Sequence, residues 1–168
     1  PQFFRETVLT DPKMVMHNAD LIPPDFDTPV AISWRATEKP VTESKRLVPR
    51  GQRYAIDKDV IWAVTELPSG PSLRKNVIDP SVLGKPAVVW RNHEASLDTA
   101  MLEPRTRSMS TYLLQEFFIP PDRFLPFARD MARILKAHRV NALNVSIRHS
   151  PADTTSLLAW APQEVFAF

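Results

Sequence analysis

The stretch NVSIRHSPAD, Asn144 to Asp153, concentrates groups that can do chemistry. Side chains alternate along a strand, so Asn144, Ser146 and Arg148 share one face while Val145 and Ile147 take the other. An arginine beside a hydroxyl and an amide offers permanent charge and several hydrogen-bond donors to an anionic or electron-rich group. A fully solvated face would instead favour lysine and glutamate. A second polar pair, Gln115 and Glu116, falls in the apolar stretch STYLLQEFFIP, 110–120. Read as a strand, it sends these two side chains to opposite faces, and only one can look toward a pocket.

Other constellations carry less. The histidines His17, His93, His138 and His149 have no H-x-x-x-H spacing, so no metal site is expected. His149 follows Arg148 and points to the opposite face, as a core or edge histidine does. His93, with Glu94 and Asp98 close in sequence, reads as a loop histidine rather than a general base. Asp153 reads as a turn aspartate bonding local backbone. No G-x-S-x-G elbow surrounds any serine. The five basic residues Lys39, Lys45, Arg46, Arg50 and Arg53 fall in a turn-rich loop with no aromatic residue interleaved, so a solvated loop is expected rather than a nucleic-acid surface.

The chain has 168 residues, of which 43% are hydrophobic and 24% charged, a globular composition. Its net charge of +2 is too mild to argue for a nucleic-acid partner. Without cysteine there is no disulfide frame, thiolate site or cysteine nucleophile. Seventeen prolines stand against three isolated glycines, so no glycine-rich loop can cradle a phosphate. No apolar run approaches the roughly 18 residues of a membrane span, and a soluble or peripheral protein of open location is expected. The chain begins at Pro1 and stops within the apolar EVFAF; a piece of a larger protein is expected.

The elements that must position these groups follow from periodicity. Residues 1–11 read as the end of a helix packed through Phe3, Phe4 and Val8. KMVMHNADL and PVAISWRAT read as strands joined by the rigid turn IPPDFDTP. A helix is expected over 54–67, a second short one in LRKNVIDPSVLG, a strand at the start of KPAVVWRNHEAS, and irregular chain over 96–108. The clearest helix covers 122–138, with an apolar stripe of Phe124, Phe127, Ala128, Met131 and Leu135. Strands are expected at 110–120, at NVSIRH, in SLLAWA and in VFAF. Strand–helix–strand over 110–149 makes a split βαβ unit. The fold expected is α+β: a ferredoxin-like antiparallel sheet with helices on one face.

Four segments in this order, MHNADLIPP, AISWRAT, QEFFIPPDRF and VSIRHSPAD, resemble FAD-linked oxidases of the vanillyl-alcohol oxidase type, above all the aldonolactone and alditol oxidase branch. The resemblance covers most of the chain. It implies that residues 1–168 are a substrate-binding cap domain, truncated at both ends, with FAD held mainly by a domain outside this chain. It implies an FAD-dependent oxidoreductase that oxidises a sugar lactone or polyol by hydride transfer to flavin. Arg148 matches the arginine that faces flavin and substrate; Ser146, Asn144, Gln115 and Glu116 are the expected substrate contacts. Ser146 stands where these enzymes often carry a glutamate, which weakens the sugar-lactone expectation. The fragment alone is expected to be inactive and prone to self-association, its partners being the FAD domain and a small hydroxylated substrate, with no metal or nucleic acid. The other expectation is a freestanding α+β ligand-binding or protein-interaction module without redox activity.

Overall fold

The computed structural model describes residues 2–27, 29–51, 55–84, 86–96, 107–109 and 111–168. Arg53, Asp98, Ser110 and most of the 96–108 stretch lie outside these residues. In chain order the elements are a wide helical turn Phe4–Val8, β1 Met14–Leu21, β2 Pro29–Arg35, α1 Ala55–Glu66, α2 Gly70–Leu73, a second wide turn Arg74–Ile78, α3 Asp79–Leu83, α4 Arg91–Ala95, β3 Phe118–Ile119, a 3-10 turn Pro121–Arg123, α5 Phe124–Ala137, β4 Val145–Ser150 and β5 Val165–Ala167. The chain divides into two compact units, residues 1–37 with 115–168, and residues 38–114.

The first unit is α+β. Its five strands run in the order β2-β1-β4-β5-β3, and every neighbouring pair is antiparallel. Because β3 and β4 each pair antiparallel with β5, they run parallel to one another, and α5 makes the crossover between them. This is the split βαβ unit expected from the sequence. The β1–β2 hairpin extends the sheet on the β4 side.

Register sorts the side chains into two faces. Ala19 pairs with Ile147 and Ala31, and His149 with Phe166. This face carries the core cluster, in which Leu21, Phe26, Ala132, Ile147, Phe166 and Phe168 are buried. The apolar stripe of α5 packs on it through Phe124, Phe127, Ala128, Met131 and Leu135. Phe4 of the first helical turn stacks on the same face, its ring 5.5 Å from Phe166 and 4.6 Å from His149. Helical elements of this unit thus cover one face, and Asn144, Ser146 and Arg148 belong to the other.

Helix α5 is bounded by local chemistry. Pro121 opens the 3-10 turn that leads into it, where a missing N–H costs nothing. At its far end the Val140 N–H donates to the Leu135 carbonyl at 2.9 Å and the Arg139 N–H to Lys136 at 3.1 Å. Arg139 takes a left-handed φ of 53° there, completing a Schellman cap in which glycine is commoner. Phe26, in the β1–β2 turn, also has φ 53° but is only 1% exposed. The left-handed conformation costs roughly 1–2 kcal/mol, and burying the ring offsets it by a similar or larger amount.

The second unit carries α1 to α4 and the wide turn Arg74–Ile78 among its described residues. Val64 is its buried anchor, at 4% exposure. Gly70 starts α2 against the carbonyl end of α1; a Cβ there would lie 2.0 Å from the Val64 carbonyl oxygen, so only glycine fits. The chain then stays helical through Leu83, starting earlier than the LRKNVIDPSVLG stretch suggests. Segments 38–48 and 86–96 are laced together. The Thr42 N–H donates to the Val88 carbonyl at 2.7 Å, and the Val88 N–H donates to Thr42 Oγ1 at 3.0 Å. Trp90 Nε1 donates to the Ser44 carbonyl at 3.2 Å, and Arg46 lies 4.3 Å over the Trp90 ring.

Three expected strands are corrected. Residues 86–90 of the expected KPAVVW strand form no strand, because the Thr42 hydroxyl takes the place of a backbone acceptor and no ladder propagates. Among the described residues of the expected 110–120 strand, only Phe118–Ile119 are strand, since the partner β5 is only three residues long. Leu113 and Leu114 are consequently exposed. SLLAWA is irregular, with Leu157 and Leu158 fully in solvent and no strand beside them. Alternating apolar residues supply a strand pattern, but pairing needs an edge to pair with.

Candidate functional site

The polar face is assembled by β1 and β4. Asp20 stands directly across from Ser146 in the antiparallel register. Asn18 shares the face of Asp20, two residues earlier, and its Nδ2 donates to Asp20 Oδ1 at 2.9 Å. Asp20 is 9% exposed, a buried charged group one residue from the end of β1. Arg148, two residues beyond Ser146, sits across from Ala167, which is itself paired with Phe118. The ring of Phe118 packs edge-on against Trp160 at 4.8 Å. The 153–161 loop is closed by the Asp153 N–H, which donates to the Ala161 carbonyl at 2.8 Å. Phe118 thus shares this face with Arg148 across the intervening β5, and the Arg148 side chain is 65% exposed.

The expected contact residues separate at this face. Arg148 Nη2 lies 3.5 Å from Glu116 Oε1, so the structure brings these two together. Glu116 does this from the irregular stretch before β3, not from a strand. The expectation that Gln115 and Glu116 alternate across a strand is therefore corrected, the partner strand being too short to extend there. Gln115 is exposed. Ser146 is half-buried on the face, and Asn144 is exposed just before β4 begins.

The sequence reading passed over Asp20. The signal was present, since Asn18 and Asp20 follow Met16 on one face of a strand already read from KMVMHNADL. What the sequence could not supply was the pairing that sets Asp20 opposite Ser146.

On the helix-covered face lies an apolar pocket of about 620 Å³. It exists because small residues meet. Ala19 and Ala31 pair across β1 and β2, and Ala128 and Ala132 of α5 face the same space. Phe3, Phe4 and Phe124 are among its walls, with His17 and His149 as polar groups. His17 Nδ1 is 2.9 Å from Ser33 Oγ, and burial, aided by the charge of Arg35, lowers its pKa. His149 packs against Phe4 and Phe166, and its Nε2 meets Glu164 Oε1 at 2.9 Å, which fits the core or edge histidine expected.

Elsewhere the turn aspartate behaves as read. Asp153 Oδ1 accepts the backbone N–H groups of Thr155 at 3.1 Å and Ser156 at 2.9 Å. A hydrogen bond from the Ser156 side chain first, then these backbone N–H bonds, hold its carboxyl at a pKa of about 2. His93 sits on α4 with Nδ1 3.0 Å from the Lys45 carbonyl oxygen, a contact that stitches two segments. Among the described residues no group of three or more His, Asp or Glu could hold a metal ion, and no helix is long and apolar enough to cross a membrane.

Set against family models, curated proteins and solved structures, the chain matches none. The class defined by the fold is α+β with one helix-covered and one polar sheet face.

Proposed function

We propose that this chain is the substrate-binding cap of an FAD-dependent oxidoreductase acting on a hydroxyl-bearing substrate. The observation that carries the reading is the placement of Arg148. It stands on the sheet face opposite α5, beside Ser146 and in contact with Glu116. The resemblance of four ordered motifs to vanillyl-alcohol-type oxidases supplies the cofactor.

The residues fit a flavin only in part. No phosphate-cradling loop occurs in the sequence, so FAD would be held mainly by a domain outside this chain. Arg148 suits the electron-rich edge of a flavin or the oxygen of a reacting alcohol, with more N–H donors than Glu116 alone uses. A bound flavin supplies hydride acceptance. The chain's own part is to bind and orient. Arg148 offers fixed positive charge where negative charge develops, a term that gains weight in a water-poor site. Glu116 limits where the guanidinium can point. Ser146 and Asn144 exchange single hydrogen bonds with hydroxyl groups.

The test is a visible absorption spectrum of the protein expressed with its natural flanking sequence. A flavin spectrum that bleaches anaerobically with a polyol or sugar lactone, and no longer bleaches after Arg148→Ala, supports the cap. A colourless, folded protein that binds no added FAD refutes it.

A second reading is a ligand-binding module without redox activity. The observation favouring it is the apolar pocket of about 620 Å³, a volume that suits a small organic ligand. The colourless outcome above would select it.

A further inference from the structure

The helix-covered face holds a cavity that the motif resemblance does not use. We infer that this apolar pocket takes a planar aromatic monocarboxylate, with the ring on its alanine floor and the carboxylate at Arg129. The inference deepens the ligand-binding reading of the pocket, on which it rests; it needs no flavin on the opposite face.

The pocket, of about 620 Å³, falls in the size range of small-molecule sites. Its floor is Ala19 and Ala31, directly opposed across β1 and β2. Alanine is a weak strand former, and a larger apolar residue at either place would occupy the space. Helix α5 adds Leu125, Ala128, Arg129 and Ala132, whose spacing puts them on one side of the helix. Methyl groups on floor and flank leave room for a flat ring. Phe4, Phe26 and Phe124 are among the walls. Phe4 and Phe124 already meet Phe166 edge-on, at interplanar angles of 81° and 76°. A bound aromatic ring extends this arrangement, and edge-to-face contact adds to the gain from burial. An aliphatic chain has the burial alone.

Charge at the mouth selects an anion. Among the described residues lining the pocket, the ionisable ones are His17, Asp27, Arg129 and His149. His17 bonds with Ser33, and His149 meets Glu164. Asp27 Oδ2 accepts the Lys136 ammonium at 3.2 Å, which offsets its charge. Helix α5 carries three cations, and two are paired: Lys136 with Asp27, and Arg133 with Asp130 at 3.2 Å. Arg129 has no ion pair or hydrogen bond among the described residues. It is exposed, so its guanidinium stands at the mouth and keeps its planar fork for a carboxylate, without the cost of burying the charge. One unpaired cation beside a neutralised pair calls for a single negative charge on the ligand.

The test is a methyl NMR titration of the 168-residue chain, labelled at alanine, with 2-naphthoate, 2-naphthalenemethanol and decanoate. 2-Naphthoate should move the methyl signals of Ala19, Ala31, Ala128 and Ala132. It should leave that of Ala167, which shares the opposite face with Arg148, in place. The alcohol and decanoate should each bind about tenfold more weakly, or about 1.4 kcal/mol. Arg129→Gln should weaken 2-naphthoate about tenfold and leave the alcohol unchanged. Arg133→Gln, one turn on and outside the lining, should alter neither. Ala31→Leu, at an exposed position of the edge strand β2, should abolish binding of both by filling the floor. Equal affinities for 2-naphthoate and the alcohol overturn the inference, as does an unaltered 2-naphthoate affinity in Arg129→Gln, or decanoate binding as tightly as 2-naphthoate. Each of these leaves the pocket a ligand site of another class. No alanine methyl shift with any probe overturns the inference and the ligand-binding reading together. The probe ranking on the unmodified chain decides the matter if a variant fails to fold.

Discussion

Arg148 Nη2 and Glu116 Oε1 lie 3.5 Å apart, tying β4 to the chain just ahead of β3. Both side chains remain partly exposed, so the pair contributes little to stability. Its value is directional, since a guanidinium held by one carboxylate presents its other donors to a narrower range of positions. On the proposed oxidase function, in the protein with its natural flanks and bound FAD, Arg148→Ala should slow anaerobic flavin reduction by roughly a hundredfold or more, the usual effect of deleting one donor aimed at developing charge. Arg148→Lys should recover only part, because an ammonium lacks the planar fork. Glu116→Gln should cost less than about tenfold, acting through orientation. Stopped-flow absorbance measures all three; equal rates for Arg148→Ala and the unmodified protein would remove Arg148 from the reaction.

Phe166 is the hub of the helix-covered face. It is 6% exposed, and its ring meets Phe4, Phe124 and His149. Phe166→Ala should destabilise the first unit by about 3–5 kcal/mol, the transfer term plus the cavity left behind. Leu158→Ala, at a side chain 94% exposed, should change stability by less than about 0.5 kcal/mol. Urea unfolding followed by circular dichroism compares them. Similar midpoints for the two variants would contradict this packing.

Gly70 makes a separate test within the second unit. Its missing Cβ accommodates the Val64 carbonyl oxygen, which would sit 2.0 Å from an added carbon. The obstacle is backbone at the end of a helix, so it cannot rotate aside. Gly70→Ala should cost about 1–3 kcal/mol, the range for overpacking, although alanine is the better helix former. Thermal unfolding with a gain in stability would show that the α1–α2 junction is looser than this.

How far the fold could be read from the sequence depended on whether a signal was local. The stripe of α5 repeats at helical spacing and is flanked by Pro120-Pro121, so both its extent and its buried face were legible. The alternation in NVSIRH likewise gave the two faces of β4, because strand geometry alone decides it. SLLAWA and STYLLQEFF have equally good local patterns and failed. Their strandedness depends on a neighbour, and β5 offers only Val165–Ala167. The candidate site divides in the same way. Ser146 and Arg148 were found together because they are two residues apart. Asp20 joins them only through the β1–β4 register, and His17 reaches the apolar pocket only through the packing of α5 and the first helical turn on the sheet.

His17 links that pocket to pH. Its Nδ1 bonds with Ser33 Oγ at 2.9 Å, and burial first, then the charge of Arg35, lowers its pKa below the ordinary histidine value of 6.5. As pH falls, the unfolded chain therefore takes up a proton at this position before the folded chain does. By linkage the folded state loses stability as pH drops from the unfolded value toward the lowered one, and regains it on the way back. The melting temperature should thus be nearly level above pH 6.5 and decline below it. His17→Gln keeps a polar partner for Ser33 but cannot titrate, so the decline between pH 7.5 and 5.5 should become shallower, even if the variant is less stable throughout. Calorimetry at the two pH values measures the difference. An unaltered slope in His17→Gln would mean that the acid sensitivity arises at other groups and that His17 is hydrated in the folded protein.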